Sequence, residues 1–202
     1  MSGSAAAPGA NADGELRDVP HEDPVLHREV SHHGMIWDVV VERFDHGGEE
    51  LTREFVEHTG AVAVVCLDAD GRVLLLRQYR HPARFLEWEL PAGLLDVPGE
   101  DPLVAARREL AEEADLVAAE WSHLATHRSS PGFTDEVLTT YLATGLTEVP
   151  EGERHERTGE ERDMVRRWVP LQEAVDAVLD HRIGNATTMI GLLTASARLT
   201  GS

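Results

Sequence analysis

The chain has 202 residues, 42% of them hydrophobic, which suits one globular domain with at most a small extension. Its formal net charge of −19 disfavours a nucleic acid polymer as partner, because phosphate backbones bind basic surfaces, whereas a small phosphorylated substrate held through a divalent ion remains compatible. The sequence has no apolar run of about 18 residues, no signal-peptide pattern at its start and one cysteine, Cys66, so we expect a cytoplasmic protein without a membrane span or a disulfide framework.

The first 58 residues divide into a tail and a group of strands. Residues 1–24 are rich in Ala, Gly, Pro and Asp, which predicts a disordered tail. Residues 25–58 predict three short strands, near Val25–His32, Met35–Phe44 and Leu51–Glu57. This section is too small to bury a core by itself, so we expect it to pack on the main domain, residues 59–202, or on another subunit.

The next two apolar runs predict a buried hairpin. Ala61–Leu67 and Arg72–Tyr79 have the composition of strands, and the turn sequence Asp68–Gly71 joins them. A further strand, Phe85–Leu90, leads into Pro91–Gly93, which breaks the strand and lets backbone carbonyl groups approach a ligand.

A helix is predicted from Pro102 to Ala114. Asp101 is a good N-cap, and proline fits the first helical position. Apolar residues recur at helical spacing and form the core side of this helix, namely Leu103, Ala106, Leu110 and Ala114.

Three carboxylates border that apolar side. Glu109 and Glu113 are four residues apart, and Arg108 can pair with Glu112 at the same spacing. This pairing leaves Glu109 and Glu113 facing each other without a protein cation, and such an all-oxygen arrangement suits Mg²⁺ or Mn²⁺. The alternative is a solvated acidic helix face, which is what most charge runs are.

The remaining elements predict a mixed α/β sandwich. Strands Glu120–His127 and Val137–Ala143 flank a loop of turn-forming residues, 129–136. Residues 145–163 lack apolar periodicity and predict a long acidic loop, which is either disordered or functional. The last predicted elements are a strand, Met164–Val169, and two helices, Leu171–Leu179 and Asn185–Leu199.

The stretch from Gly93 to Leu116 resembles the Nudix box, G-x5-E-x7-R-E-U-x-E-E-x-G-U, where U is a bulky apolar residue. The matching residues are Glu100, Arg108, Glu109, Leu110, Glu112, Glu113 and Leu116. Two departures exist, because one extra residue separates Gly93 from Glu100 and Asp115 replaces the glycine. Aspartate tolerates a positive φ better than most residues, so we expect the helix end to survive. The resemblance implies an α/β/α sandwich of mixed sheets, with the N-terminal strands as a small extension.

A narrower resemblance concerns function. The segments 77–82, 88–93 and 130–132 are similar to the ADP-ribose pyrophosphatase branch of the Nudix family. That branch implies hydrolysis of ADP-ribose to AMP and ribose 5-phosphate, by a homodimer whose N-terminal strands reach into the partner's site. Two alternatives stay open: hydrolysis of another nucleoside diphosphate derivative such as a nucleotide sugar, or a non-catalytic module that senses ADP-ribose. The intact carboxylates disfavour the second.

The resemblance also implies roles for single residues. Those expected to bind substrate are Trp37, Arg53, Arg80, Ser130 and Gly132, with Trp37, or alternatively Ile36, stacking on adenine. The carbonyl group of Ala92 is expected to join Glu109 and Glu113 on the metal, while Arg108 holds Glu112 in place. A metal-bound carboxylate is a poor proton acceptor, so we expect the general base in the 145–163 loop, as Glu160 or Glu161. Glu112 is the next candidate for the base.

Overall fold

The computed structural model describes residues 16–157 and 164–201. The chain forms two compact units. The smaller comprises Met1–His58 with Gly132–Thr134, and the larger comprises Thr59–Pro131 with Asp135–Ser202.

The smaller unit is a three-stranded antiparallel sheet of β1 (Val25–His33), β2 (Asp38–His46) and β3 (Glu49–Glu57), in that order. Its β2–β3 turn has positive φ at Gly47 and Gly48, as tight hairpin turns require. The three predicted strands are confirmed, but the second begins at Asp38. The preceding residues form a turn, in which the N–H of Gly34 donates to the carbonyl of Trp37.

The larger unit contains two sheets and three α-helices. One sheet has the order β7-β4-β9-β8, with β4 (Ala61–Cys66), β7 (Ala92–Leu94), β8 (Leu116–Arg128) and β9 (Val137–Glu148). The other has the order β10-β5-β6, with β5 (Arg72–Arg80), β6 (Phe85–Glu89) and β10 (Val165–Pro170). The helices are α1 (Pro102–Ala114), α2 (Leu171–Leu179) and α3 (Ala186–Thr200), and a 3₁₀ turn covers Glu151–Glu153.

The predicted hairpin of β4 and β5 is wrong, because the two strands lie in different sheets. Between them the structure has one isolated bridge, Leu67 to Val73. Strand β4 pairs with β7 on one edge and in parallel with β9 on the other, so it offers β5 no edge. The turn itself is as predicted, and the carboxylate of Asp68 accepts the N–H groups of Asp70 and Arg72.

The structure confirms the predicted α/β/α sandwich, and strand β4 lies in its middle layer. All six of its residues are buried. Alternate side chains point to opposite faces of a strand. Val62, Val64 and Cys66 pack with the buried residues of α1. Ala61, Ala63 and Val65 pack instead in the cluster that contains residues of α2 and α3.

Helix boundaries follow the local signals closely. α1 and α2 have the predicted bounds, and α3 begins one residue later because Asn185 is its N-cap and accepts the N–H of Thr188. Strand β9 continues to Glu148, so the long loop expected from residue 145 begins only after this strand. Within residues 16–157 and 164–201, no helix has the length and apolarity needed to cross a membrane.

The thiol of the single cysteine should be unreactive in the folded protein. Cys66 is fully buried, and burial raises the pKa of its thiol, to which the negative charge of Glu113 adds. Because the thiolate is the reactive form, we expect no reaction of native protein with Ellman's reagent at pH 8. Protein unfolded in guanidinium should react with one equivalent, and rapid labelling of the native chain would contradict this burial.

Candidate active site

The candidate site is built on helix α1, whose two ends are both capped. Asp101 accepts the N–H of Leu103 at 2.8 Å. At the other end Asp115 adopts the left-handed conformation, with φ 57° and ψ 35°, and its N–H bonds back to Ala111 at 3.2 Å. The side of the helix that carries Ala106 and Leu110 is buried, so this contact with the core sets where the glutamates of the helix lie.

Glu113 lies against strand β7. The N–H of Ala92 donates to Oε2 of Glu113 at 2.9 Å, and the glutamate is 7% exposed. Ala92 pairs with Ala63, while the neighbouring Pro91 accepts the N–H of Val64. In an antiparallel ladder such bonds alternate along the strand, so the N–H and carbonyl of Ala92 both point away from β4. The carbonyl oxygen is therefore directed to the same side as Glu113.

Glu109 is held between a cation and a glycine. Nη1 of Arg108 donates to Oε1 of Glu109 at 2.6 Å, so the expectation that this carboxylate lacks a protein cation is wrong. A Cβ at Gly93 would overlap the carboxylate of Glu109. Burial raises the pKa of Glu109, and the charges of Glu112 and Asp96 act in the same direction, against the opposing effect of Arg108. Negative charge at this position is therefore only partly compensated.

Arg108 hydrogen-bonds three carboxylates rather than one, and a fourth, Asp96, lies 3.9 Å from its Nη2. It donates to both oxygens of Glu100, at 3.3 and 3.1 Å, and to Glu109. The predicted contact with Glu112 exists, but at 3.4 Å it is the longest of these. Hydrogen bonding to Glu100 raises the pKa of Arg108 further. The loop before Glu100 ends in a turn, in which the N–H of Glu100 donates to the carbonyl of Val97 at 3.1 Å.

The donor set fits a hard divalent cation. Among the described residues, no group of three or more His, Cys, Asp and Glu side chains is arranged to hold a metal ion. Mg²⁺ commonly uses one or two carboxylates, with water and substrate phosphate supplying the other oxygens. Glu109 and Glu113, with the outward carbonyl of Ala92, match that requirement.

Arg80 forms an ion pair that the sequence reading missed. Its Nε and Nη2 donate to the two oxygens of Glu89 at 2.9 and 2.7 Å. Glu89 is 3% exposed and also accepts from Gln78 and Asn185. Arg80 keeps 44% of its side chain exposed, so it can still meet a ligand. The sequence offered no signal for this pair, because the pairing of β5 with β6 was not predicted.

The family follows from comparison with known sequences. Residues 57–189 match the NUDIX domain. This chain belongs to the Nudix family. It is 48% identical over 155 residues to the ADP-ribose pyrophosphatase of Mycobacterium tuberculosis, covering 77% of this chain and 73% of that protein.

Two further relatives and one structure extend the comparison. The ADP-ribose pyrophosphatase of Bacillus subtilis is 32% identical over 169 residues, covering 83% of this chain and 89% of that one. A CMP-5'-(N-acetyl-N-hydroxy-3-aminopropyl)phosphonate hydrolase of Streptomyces rubellomurinus is 36% identical over 147 residues, 73% and 68% of the two chains. The crystal structure of an ADP compounds hydrolase has a similar fold, with a TM-score of 0.74, 21% identity and coverage of 92% and 98%.

Asp115, the departure from the Nudix box, is a buried and doubly paired residue. It is 3% exposed. Arg157 lies 2.8 Å from Oδ1, and Arg166 lies 2.7 Å from Oδ2. Burial favours the neutral acid, but the two guanidinium groups outweigh it and lower the pKa of Asp115. The expected tolerance of a positive φ is confirmed, whereas the two arginines could not be inferred from local sequence.

The other predicted residues are spread over the chain. In the smaller unit, Trp37 stacks on His58 with ring centroids 5.2 Å apart, and the guanidinium of Arg53 lies over Phe44. Gly132 also belongs to that unit. Ser130 is an exposed residue of the larger unit. Glu160 and Glu161 lie outside the described residues.

Substituting Gly93 by Ala should disturb the Nudix site while sparing the fold. The added Cβ would meet the end of the Glu109 side chain, which can rotate away at little cost in stability. Since a small misplacement at a reacting centre can cost ~10²-fold, we expect a large fall in kcat with a nearly unchanged melting temperature. Gly152→Ala, where an added Cβ meets nothing within 4 Å, is the matched control.

Proposed function

We propose that this Nudix protein hydrolyses the pyrophosphate of ADP-ribose to AMP and ribose 5-phosphate, with Mg²⁺ or Mn²⁺ as cofactor. The observation that carries the proposal is that one Nudix helix places two carboxylates against the same strand. Glu109 lies against Gly93, and Glu113 accepts the N–H of Ala92. The names of the Mycobacterium and Bacillus relatives support the choice of substrate. In the reaction, the oxygen of water bonds to one phosphorus while the bridging P–O bond breaks.

Each residue of the site has a distinct proposed task. Glu109, Glu113 and the carbonyl of Ala92 would hold the cation, which neutralises pyrophosphate charge and acidifies a bound water. Arg108 orients Glu109 through its 2.6 Å contact and is itself held by Glu100. Arg80, fixed by Glu89, is proposed to bind the substrate, as are Trp37, Arg53, Ser130 and Gly132. Glu160 or Glu161 is proposed to accept the proton of the attacking water.

A second candidate is hydrolysis of a different nucleotide-linked phosphate. It is favoured by the Streptomyces relative, whose name specifies a cytidylyl phosphonate. Such a substrate needs the same cation and the same acidic helix, but another base pocket. A non-catalytic sensing role has less support, because the carboxylates that a catalytic cation needs are all retained.

A substrate panel decides between these candidates. Purified protein with Mg²⁺ or Mn²⁺ is incubated with ADP-ribose, ADP-glucose, UDP-glucose and a CMP-linked phosphonate, and products are resolved by chromatography. We expect AMP and ribose 5-phosphate from ADP-ribose at the highest kcat/KM, and no turnover in excess EDTA. Preferred cleavage of another compound would select the second candidate, and binding without turnover would select the sensing role.

We also propose a cytoplasmic homodimer that makes its contact through the smaller unit. Apolar side chains on that unit are exposed, including Val25, Leu26, Met35 and Ile36. These side chains lie towards the two ends of β1, and we propose that a second copy of the chain covers them. Light scattering after size exclusion should give twice the 22.2 kDa of one chain, and the mass of a single chain at micromolar concentration would exclude the dimer.

A further inference from the structure

At position 115 this chain has an aspartate where the Nudix box has a glycine. The backbone conformation at this position does not require the aspartate side chain. Asp115 ends α1 through backbone bonds, from its own N–H to Ala111 and from the N–H of Val149 to its carbonyl. A glycine would make both bonds at lower conformational cost. The side chain nevertheless stays buried, which is unfavourable for a carboxylate unless cations compensate it. The side chain of Asp115 therefore has a task separate from ending the helix.

The two compensating arginines flank one short segment. Arg157 is the last described residue before residues 158–163, and its Nη2 lies 2.8 Å from Oδ1 of Asp115. Arg166 is the second residue of β10, opposite Leu76 of β5, and its Nη1 lies 2.7 Å from Oδ2. One carboxylate thus receives a guanidinium from each side of the segment.

Arg166 also fixes the helix directly. Its Nη1 donates to the carbonyl of Ala114 at 2.7 Å, one of the carbonyl groups that a helix leaves without an intrahelical partner at its C-terminus. A cation there is favourable because it also meets the negative end of the helix dipole. Asp115 therefore contacts three parts of the structure: helix α1, which carries Glu109 and Glu113, strand β10, and Arg157.

We infer that Asp115 is a positioning residue, whose carboxylate holds Arg157 and Arg166 and so fixes both flanks of segment 158–163 to the end of the Nudix helix. The inference deepens the proposed function and, for its effect on turnover, rests on it. Removing the carboxylate frees Arg157 from this ion pair and leaves Arg166 with its bond to Ala114. The flanks then lose their common anchor on the helix that carries the proposed metal ligands.

The test uses Asp115→Asn and Asp115→Gly, both of which tolerate the left-handed conformation. Asp180→Asn is the control, because it removes a similar ion pair, with Arg182 at 3.2 Å, from a side chain that is 65% exposed. We expect kcat for ADP-ribose to fall on the order of 10- to 100-fold in both Asp115 variants, with KM little changed. The control should keep the wild-type kcat.

A second measurement does not depend on activity. Trypsin cleaves after arginine, and cleavage of a native chain reports local opening, so the rate of cutting after Arg157 is followed by mass spectrometry. We expect faster cutting there in both Asp115 variants than in wild type or Asp180→Asn. If wild type proves inactive on ADP-ribose, the proposed function fails, but this measurement still decides whether Asp115 anchors Arg157.

Three results would overturn the inference. Unchanged cutting after Arg157 in folded Asp115 variants would show that the carboxylate does not hold it. A lower melting temperature with unchanged kcat and cutting would reduce Asp115 to a structural role. Should both variants fail to fold, Arg157→Gln replaces them, and wild-type kcat in that variant would equally overturn the inference. In folded proteins, the double variant Asp115→Asn/Arg157→Gln should show a smaller fall in kcat than the product of the two single-variant falls, because both changes break the same ion pair.

Discussion

Glu113→Gln should abolish most turnover of ADP-ribose and leave the protein folded. Glutamine has the same shape, and its carbonyl oxygen can still accept the 2.9 Å hydrogen bond from the N–H of Ala92. The lost charge removes a proposed metal ligand, and metal ions supply several kcal/mol to the transition state, so we expect a fall in kcat of at least ~10²-fold. Removing one of the clustered negative charges should not lower the melting temperature.

The measurements for Glu113→Gln are kcat at saturating Mg²⁺, the melting temperature, and Mn²⁺ affinity by titration calorimetry. Glu151→Gln, an exposed glutamate in the 3₁₀ turn, serves as the control for loss of one negative charge. Wild-type turnover and metal affinity in a folded Glu113→Gln variant would remove Glu113 from the metal site.

Changing the proposed general base should have an effect of comparable size. Glu160→Gln and Glu161→Gln are made separately, and one of them should lower kcat by ~10²–10⁴-fold with little change in KM. The reason is that Glu109 and Glu113 are assigned to the metal, which makes them poor proton acceptors. The pH profile of kcat should also lose its acidic limb in that variant, because the group that must be deprotonated is gone.

If neither loop glutamate is the general base, the structure indicates another candidate. If both single variants and the double variant turn over at near the wild-type rate, the base lies elsewhere, and Glu112 is the next candidate. The structure makes Glu112 available for that role, since its hydrogen bond with Arg108 is the longest that this arginine makes and 35% of its side chain is exposed.

Local signals in the sequence predicted the parts of the fold that depend on neighbours in the chain. Asp101 and Pro102 set the start of α1, and the tolerance of Asp115 for positive φ set its end, so the helix has the predicted bounds. The turn at Asp68 was found for the same reason. Its two strands were nevertheless assigned to one sheet, because a turn sequence does not say which edges distant strands will occupy.

The candidate site shows the same division. The spacing of Glu109 and Glu113 placed both on one helix beside the loop, as found. Spacing also paired Arg108 with Glu112 alone, but folding brings Glu100 onto the same guanidinium from across the loop. Which of several carboxylates an arginine prefers depends on such long-range geometry.

The parallel pairing of β4 with β9 has a consequence for synthesis of the protein. Ala61 lies opposite Leu138, so the central strand must remain without this partner while the intervening chain is made. At translation rates of about 5–20 residues per second, that interval lasts roughly 4–15 s. Non-local pairings of this kind also fold slowly, so β4, which is entirely apolar, is open to aggregation and to chaperone binding during that time.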